Sequence, residues 1–203
     1  VPPSGIDAVR FETPLWEPLD PASWMGLSPV QRRLVGALHT DALLRDRGRA
    51  TRDALRDGPS WCHGDARTAN FCVLPSGVPQ LVDWETSGLG RPETDLGLLC
   101  GAVITDSLLS VDGPPGPAAR AALGQAVARA TGYVRLVLGG YRAAPGGALD
   151  SDLLASAVGC ALLTRAVVRA SVTSWDRIVM ALYEIGRGLV LRPARWKAID
   201  PDG

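Results

Sequence analysis

The sequence predicts an α+β fold that is mostly α-helical, with a small β-hairpin in its first half. Two observations support this prediction. From Asp95 onwards, apolar residues recur every three or four positions in four separate segments. Short apolar stretches precede them, and two of these are joined by the turn sequence PSGVP. The chain of 203 residues is long enough to bury a sizeable core, so we expect one domain over 1–203.

The first part of the chain is predicted to hold two helices. Residues 1–27 are rich in proline and tryptophan and are expected to form an irregular linker, with at most a short strand over Ala8–Glu12. Ser28–Pro29 indicates a helix start, because a hydroxyl side chain can cap the first turn and proline suits the first helical position. The apolar positions of this helix are Val30, Leu34 and Leu38. Gly48 is predicted to end it, and a short helix is predicted over Ala50–Arg56.

The hairpin and four more helices follow. The strand-like stretches are Trp61–His63, Phe71–Leu74 and Gln80–Trp84, of which the last two form the hairpin. Thr94 or Asp95 is expected to cap a helix that runs through Leu109, and Ser174 is expected to cap the last helix. The apolar positions of the other three helices are Leu123, Val127, Ala130, Val134 and Leu138, then Leu154, Val158 and Ala161, then Ile178, Leu182, Ile185 and Leu189.

Composition excludes several classes of function. Lys+Arg and Asp+Glu are both 21, so the chain lacks the basic excess of a nucleic-acid-binding protein. No apolar run reaches the length that spans a bilayer and no signal peptide opens the sequence, so we expect no membrane partner. The four cysteines show no CxxC spacing and lie in apolar contexts, which predicts buried free thiols and a cytoplasmic location.

The most informative segment is HGDARTAN followed by LVDWE. It places Asp65 five residues before Asn70 on one loop, and Asp83 at the end of the next apolar strand. A carboxylate that orients an acceptor hydroxyl, and two oxygen ligands for Mg²⁺, are the requirements of phosphoryl transfer. The segment therefore predicts a phosphoryl-transfer site with magnesium. The alternative is that Asp65 and Asp83 are turn and strand-end residues that form only local caps.

These motifs, with GLGRPETDLG after them, resemble the aminoglycoside phosphotransferase and choline kinase family, which has a protein-kinase-like fold. The resemblance covers residues 61–99, and the later helices match the helical C-terminal lobe of that fold in layout only. It implies that Asp65 is the catalytic aspartate and that Asn70 and Asp83 are magnesium ligands. It also implies that His63 and Asp95 support the catalytic loop.

Three arginines have two interpretations each. Arg67 lies two residues after Asp65, where protein kinases often have a cation that contacts the γ-phosphate and many members of the family have His or Lys. A local surface salt bridge is equally open. Arg165 and Arg169 share a helix face, which forms either a solvated, salt-bridged surface or an anion-binding pair.

Only 62 residues precede His63, and they contain neither a glycine-rich loop nor a lysine. We therefore expect the N-terminal nucleotide lobe of the family to be absent or not included, or to be supplied by a second chain. Two functions remain open. One is an ATP- and Mg²⁺-dependent phosphotransferase lobe, using ATP or another nucleoside triphosphate. The other is a non-catalytic, pseudokinase-like subunit that binds a peptide or a partner protein.

The acceptor is expected to be a neutral or anionic hydroxyl compound, or a peptide Ser/Thr side chain. Residues 101–195 contain ten arginines and six acidic residues, a balance that disfavours a polycationic aminoglycoside. A resemblance to phosphotransferase-like proteins of lanthipeptide-type modification, through DWE and the later Gly-x-Pro-x-x-Asp-Leu-Gly pattern, favours the peptide.

Overall fold

The architecture is mostly helical with two small sheets, which agrees with the α+β prediction. The computed structural model describes residues 8–9, 14–111, 116–172 and 176–201. Within these ranges the helices are α1 (Pro21–Gly26), α2 (Pro29–Thr40), α3 (Ala42–Arg56), α4 (Glu93–Leu109), α5 (Pro117–Arg142), α6 (Ser151–Arg169) and α7 (Arg177–Leu191). The strands are β1 (Ser60–Cys62), β2 (Phe71–Val73), β3 (Pro79–Leu81) and β4 (Gly88–Gly90). Short 3₁₀ helices cover Pro14–Trp16, Thr68–Asn70 and Pro193–Ala198.

Side-chain caps define where α1 and α2 begin. Ser28 accepts a hydrogen bond from the backbone N–H of Gln31, and the Gln31 side chain accepts one from the backbone N–H of Ser28. This capping box confirms the predicted start of α2. α1 lies in the segment predicted to be irregular, where Asp20 caps it. At six residues, α1 is too short to show an apolar repeat in the sequence.

The prediction that Gly48 ends α2 is wrong. α2 ends at Thr40, and the side chain of Asp41 then caps α3 by accepting a hydrogen bond from the N–H of Leu44. α3 continues through Gly48 to Arg56. A Cβ atom at Gly48 would lie 2.5 Å from the ring of Trp16. Glycine at this position therefore lets a buried indole lie against the helix, which is a packing requirement that no local pattern indicates.

The two sheets are antiparallel pairs, β1 with β4 and β2 with β3. The second pair is the predicted hairpin. β4 has the sequence Gly-Leu-Gly, which carries no strand signal, and it forms because it pairs with the strand that leads into the polar loop. Of the strand predicted over Ala8–Glu12, Ala8 makes a parallel bridge to Leu89, and residues 10–12 lie outside the described residues.

α6 is the central helix of the core and packs against α2, α3, α4 and α7. Small residues set its two closest crossings. A Cβ atom on Gly97 of α4 would lie 2.6 Å from Ala157, and one on Gly159 would lie 2.8 Å from the backbone oxygen of Gly186 in α7. The backbones approach closely at these points, and the tight crossing fixes the position of α4 relative to the rest of the core.

By length and composition α6 could also cross a membrane, so the expectation that no segment is long and apolar enough is wrong. However, 61% of its apolar window is buried inside the molecule. That burial is the pattern of a core helix.

The helix starts predicted around α4 and α7 differ from those observed. α4 begins at Glu93 without a side-chain cap, and neither Thr94 nor Asp95 serves as one. Thr94 instead donates a hydrogen bond to a backbone carbonyl of α3. Ser174, the predicted cap of α7, lies outside the described residues, and Asp176 caps that helix by accepting from the N–H of Val179.

The four cysteines are free, but one departs from the prediction of buried thiols. Cys62, Cys100 and Cys160 are buried, and desolvation raises the pKa of each thiol to about 12. Cys72 is exposed because both faces of the short β2–β3 pair remain uncovered.

Candidate active site

The side chain of Asp95, in the first turn of α4, holds the polar loop 63–70 in place. The Asp95 carboxylate accepts hydrogen bonds from the backbone N–H groups of His63, at 2.7 Å, and Gly64, at 2.9 Å. Burial raises the pKa of Asp95, and the two N–H donors act in the opposite direction because they favour the ionised form. Gly64 has φ +83°, and a Cβ atom there would lie 2.6 Å from the carbonyl oxygen of Thr86. The loop therefore requires glycine at position 64.

His63 connects this loop to the segment that carries Asp83. Its buried ring accepts a hydrogen bond at Nδ1 from the Asp65 N–H, at 3.1 Å, which assigns the ring proton to Nε2. That Nε2–H donates to the Val82 carbonyl at 2.8 Å. The ring of Trp84 packs edge-on against it, with centroids 4.7 Å apart. One imidazole thus fixes the loop against the residues on both sides of Asp83.

Asp65, Arg67 and Asn70 are in direct contact. The Asn70 side-chain amide donates to the Asp65 carbonyl at 2.8 Å and to Asp65 Oδ2 at 2.9 Å. Arg67 Nε lies 3.0 Å from the same Oδ2. Asp65 Oδ1 has no hydrogen bond among the residues that the structure describes, and the side chain is 35% exposed. The carboxylate is therefore oriented through one oxygen and leaves the other available.

The backbone next to Asp83 is hydrogen-bonded to the polar loop. The N–H of Val82 donates to the Asn70 carbonyl at 2.9 Å, so Val82 is tied to the loop twice. Asp83 is exposed and has φ +69°, a left-handed conformation that is uncommon for a residue other than glycine. Strained backbone of this kind occurs where the surroundings hold a side chain in a set direction. The structure records no direct hydrogen bond from Asp83 to Asp65 or Asn70.

A model of the phosphotransferase enzyme family matches residues 12–137, more than half of the chain. The chain belongs to this phosphotransferase family. The match includes the polar loop, the β2–β3 hairpin and α4. No curated protein matched the chain.

Two side chains of the site carry oxygen atoms of the chemical kind that suits a magnesium ion. Because the Asn70 amide nitrogen bonds to Asp65, its Oδ1 is free of hydrogen bonds within the described part of the chain. Asn70 Oδ1 and the Asp83 carboxylate are oxygen ligands of the kind that Mg²⁺ prefers. The described residues contain no group of three or more His, Cys, Asp or Glu side chains that could hold a metal by itself.

The structure adds residues to the site that sequence reasoning did not select. Thr68 of the loop donates a hydrogen bond to Asp106 of α4 at 2.6 Å. Asp106 follows Asp95 by 11 residues, which is close to three helical turns, so both face the loop from the same side of α4. That spacing is the signal that could have identified Asp106.

The two arginines of α6, Arg165 and Arg169, have different surroundings in the structure. Arg169 pairs with Asp176 at 2.8 Å, as the salt-bridged interpretation predicts. Arg165 is half-buried, and desolvation lowers its pKa, while the charges of Asp106 and Asp65 raise it and that of Arg67 lowers it. Arg165 therefore adds positive charge to the electrostatic surroundings of the loop.

Proposed function

We propose that this protein is an ATP- and Mg²⁺-dependent phosphotransferase that transfers the γ-phosphate to a hydroxyl group of a small molecule or of a peptide Ser/Thr side chain. The observation that carries the proposal is the set of contacts that the Asp65 carboxylate makes. Asn70 and Arg67 hold one of its oxygens and leave the other open, in a chain of the phosphotransferase family. An oriented carboxylate with one free oxygen is the group that a general base requires.

In this proposal each residue of the loop has one task. Asp65 Oδ1 accepts the proton of the acceptor hydroxyl and orients that oxygen towards the phosphorus. Asn70 holds the carboxylate and presents its own Oδ1, together with Asp83, to magnesium. Bound magnesium neutralises phosphate charge as the phosphoryl group moves. Arg67 has an exposed guanidinium at Asp65, and it can exchange this partner for a phosphate oxygen.

His63 and Asp95 act through the backbone. Together they fix three consecutive N–H groups of the loop, those of His63, Gly64 and Asp65. Catalysis by proximity depends on such restraint, since a displacement of about 1 Å can lower a rate about 100-fold. We therefore propose positioning roles for both.

We further propose that the chain is the C-terminal lobe of a protein-kinase-like fold, that it works with a nucleotide lobe supplied by further sequence or a second chain, and that it acts in the cytoplasm. Exposed apolar side chains around the hairpin support the proposal of a second lobe, because such a lobe would cover them. They are Trp61, Phe71, Val73, Leu74, Val78 and Trp84. Trp16 does not belong to this surface, because it is fully buried in the core. Free cysteines support a reducing compartment.

The test compares wild-type full-length protein with Asp65→Asn and Asp83→Ala. In Asp65→Asn the side chain keeps an oxygen for the Asn70 amide but loses basicity, so we expect phosphoryl transfer to fall about 10²- to 10⁴-fold with Mg-ATP affinity unchanged. Asp83→Ala should weaken Mg-ATP binding as well. Asp152→Asn is the matched control, because Asp152 is exposed and far along the chain on α6.

Radiolabelled ATP and a panel of hydroxyl compounds and Ser/Thr peptides measure transfer, and calorimetry measures nucleotide binding. Equal transfer by wild type and Asp65→Asn would remove Asp65 from its role. A wild-type protein that transfers no phosphate to water or to any acceptor, yet binds a peptide, would support the non-catalytic alternative.

A further inference from the structure

A groove between α4 and α5 begins at the catalytic loop. It encloses about 330 Å³, with Thr68 and Asp106 at one end and Ser110 and Arg129 at the other. Hydrogen bonds mark both ends, from Thr68 to Asp106 at 2.6 Å and from Arg129 Nη2 to Ser110 Oγ at 3.0 Å. Asp106 and Ser110 are one helical turn apart, so the ends are separated by roughly 6 Å along α4.

The end of the groove at Thr68 lies next to the proposed base. Thr68 is in the 3₁₀ turn that ends at Asn70, whose amide holds Asp65. The charges of both Asp106 and Asp65 act on Arg165, which places the two carboxylates in one electrostatic environment. A molecule that lies at this end of the groove is next to the loop that carries Asp65.

Arg129 places a positive charge at the end of the groove away from the loop. Three other arginines of the helical half, Arg142, Arg169 and Arg187, pair with Asp200, Asp176 and Asp41. Arg129 differs from these three, because its hydrogen bond goes to a hydroxyl and it has no carboxylate partner among the described residues.

Among the described residues that line the groove, Asp106 is the acidic one, and it keeps its negative charge at the end near the loop. There it accepts the Thr68 hydrogen bond and interacts with the charge of Arg165. Val103 and the ring of Tyr133 also line the groove. The groove thus offers an apolar wall and a cation at the end away from the loop.

We propose that this groove binds the phosphoryl acceptor, and that the acceptor carries an acidic group, a carboxylate or a phosphate, which Arg129 binds with the Ser110 hydroxyl. This inference rests on the proposed function. The acceptor places a ring or short carbon chain against Val103 and Tyr133. Its hydroxyl oxygen bonds to the γ-phosphorus, the bond from that phosphorus to the β–γ bridging oxygen breaks, ADP leaves with the electron pair, and Asp65 takes the hydroxyl proton.

A pair of small probes tests the charge preference. 4-(Hydroxymethyl)benzoate has a hydroxyl and a carboxylate at opposite ends of a ring, and 4-(hydroxymethyl)benzamide has the same shape without the charge. 4-(Hydroxymethyl)phenyl phosphate distinguishes a phosphate from a carboxylate. Binding to the full-length protein is measured by NMR titration in the absence of nucleotide, and phosphoryl transfer is measured separately with Mg-ATP.

We expect an acid to bind about tenfold more tightly than the amide, because a charge-assisted hydrogen bond is added. Arg129→Gln should abolish this preference and leave amide binding unchanged. Arg120→Gln is the matched control, since Arg120 is an exposed arginine on the same helix, and it should keep the preference.

Equal binding of acids and amide to wild type, failure of both acids to bind, or an acid preference that survives in Arg129→Gln would each overturn the inference. Failure of the proposed function has a different signature. In that case the acids bind with an Arg129-dependent preference, but no acceptor and no water molecule receives phosphate from ATP.

Discussion

The contact between Asp95 and the polar loop gives the sharpest test of how the site is built. We consider Asp95→Asn. The carboxylate accepts two backbone N–H groups, at 2.7 and 2.9 Å, with one oxygen for each. Asparagine keeps one acceptor oxygen and points an NH₂ group at the other N–H, so one donor loses its partner inside the protein.

The expected loss of stability follows from these contacts. Hydrogen bonds to a charged group contribute about 1.5–3 kcal/mol each, and an orphaned buried donor costs about 1–3 kcal/mol. Removing the charge recovers part of the desolvation free energy, since burial raises the pKa of Asp95. We therefore expect a net loss of about 2–3 kcal/mol in the free energy of unfolding. Phosphoryl transfer should fall further than stability alone explains, because the loop that carries Asp65 loses a restraint.

Urea unfolding followed by circular dichroism measures the change, with Asp152→Asn as the control. Asp152 also lies in the first turn of its helix, so it has the same relation to a helix dipole, but it is exposed. The control should change stability by less than about 0.5 kcal/mol. Equal effects of the two substitutions would refute the claim that the loop contacts hold the site.

The pH dependence of the same comparison has a defined sign. The folded pKa of Asp95 is raised above its ordinary value of 3.8, so the folded state holds the proton at pH values where the unfolded state has lost it. The stability linked to this proton is fully present below pH 3.8 and is lost as pH rises through the folded pKa. The stability difference between wild type and Asp95→Asn should therefore shrink over that interval.

Two further substitutions test the core. Gly48→Ala should lower stability by about 1–3 kcal/mol in urea unfolding, because the new Cβ would lie 2.5 Å from Trp16, while Gly36→Ala, with its nearest atom at 3.8 Å, should be neutral or slightly stabilising. Asp200→Asn should cost about 3 kcal/mol, because it removes the charge of a buried carboxylate and one of the two oxygens that accept from Arg142, at 2.7 and 2.6 Å. Arg142 lowers the pKa of Asp200, so wild type should lose this contribution as pH falls below 3.8 through the folded pKa, and Asp200→Asn should show no such loss.

Local sequence was sufficient where the physical signal is itself local. The capping box at Ser28 satisfies backbone donors within one helical turn, so four residues contain all the information. The polar loop is similar, because Asp65 and Asn70 meet within six residues of chain. The helices of the second half were predicted in the correct order, since each buries one periodic apolar face.

The prediction failed where the role of a residue depends on a contact with a residue far away in the sequence. Gly48 resembles a helix stop, but it makes room for Trp16, which comes 32 residues earlier. β4 has no strand composition and forms only because β1 is there to pair with it. α1 was missed because one short capped turn has no periodicity to detect.

The sequence by itself therefore determined the chemical groups of this protein: an aspartate, an asparagine and a second aspartate in an order typical of phosphoryl transfer. Tertiary structure decided how those groups are used. It turned the Asn70 amide towards one oxygen of Asp65, joined Thr68 to Asp106 across 38 residues, and set Arg129 beside Ser110 in a groove. The physical reason is that hydrogen bonds and charges act over a few ångströms in space, whereas the sequence shows only neighbours along the chain.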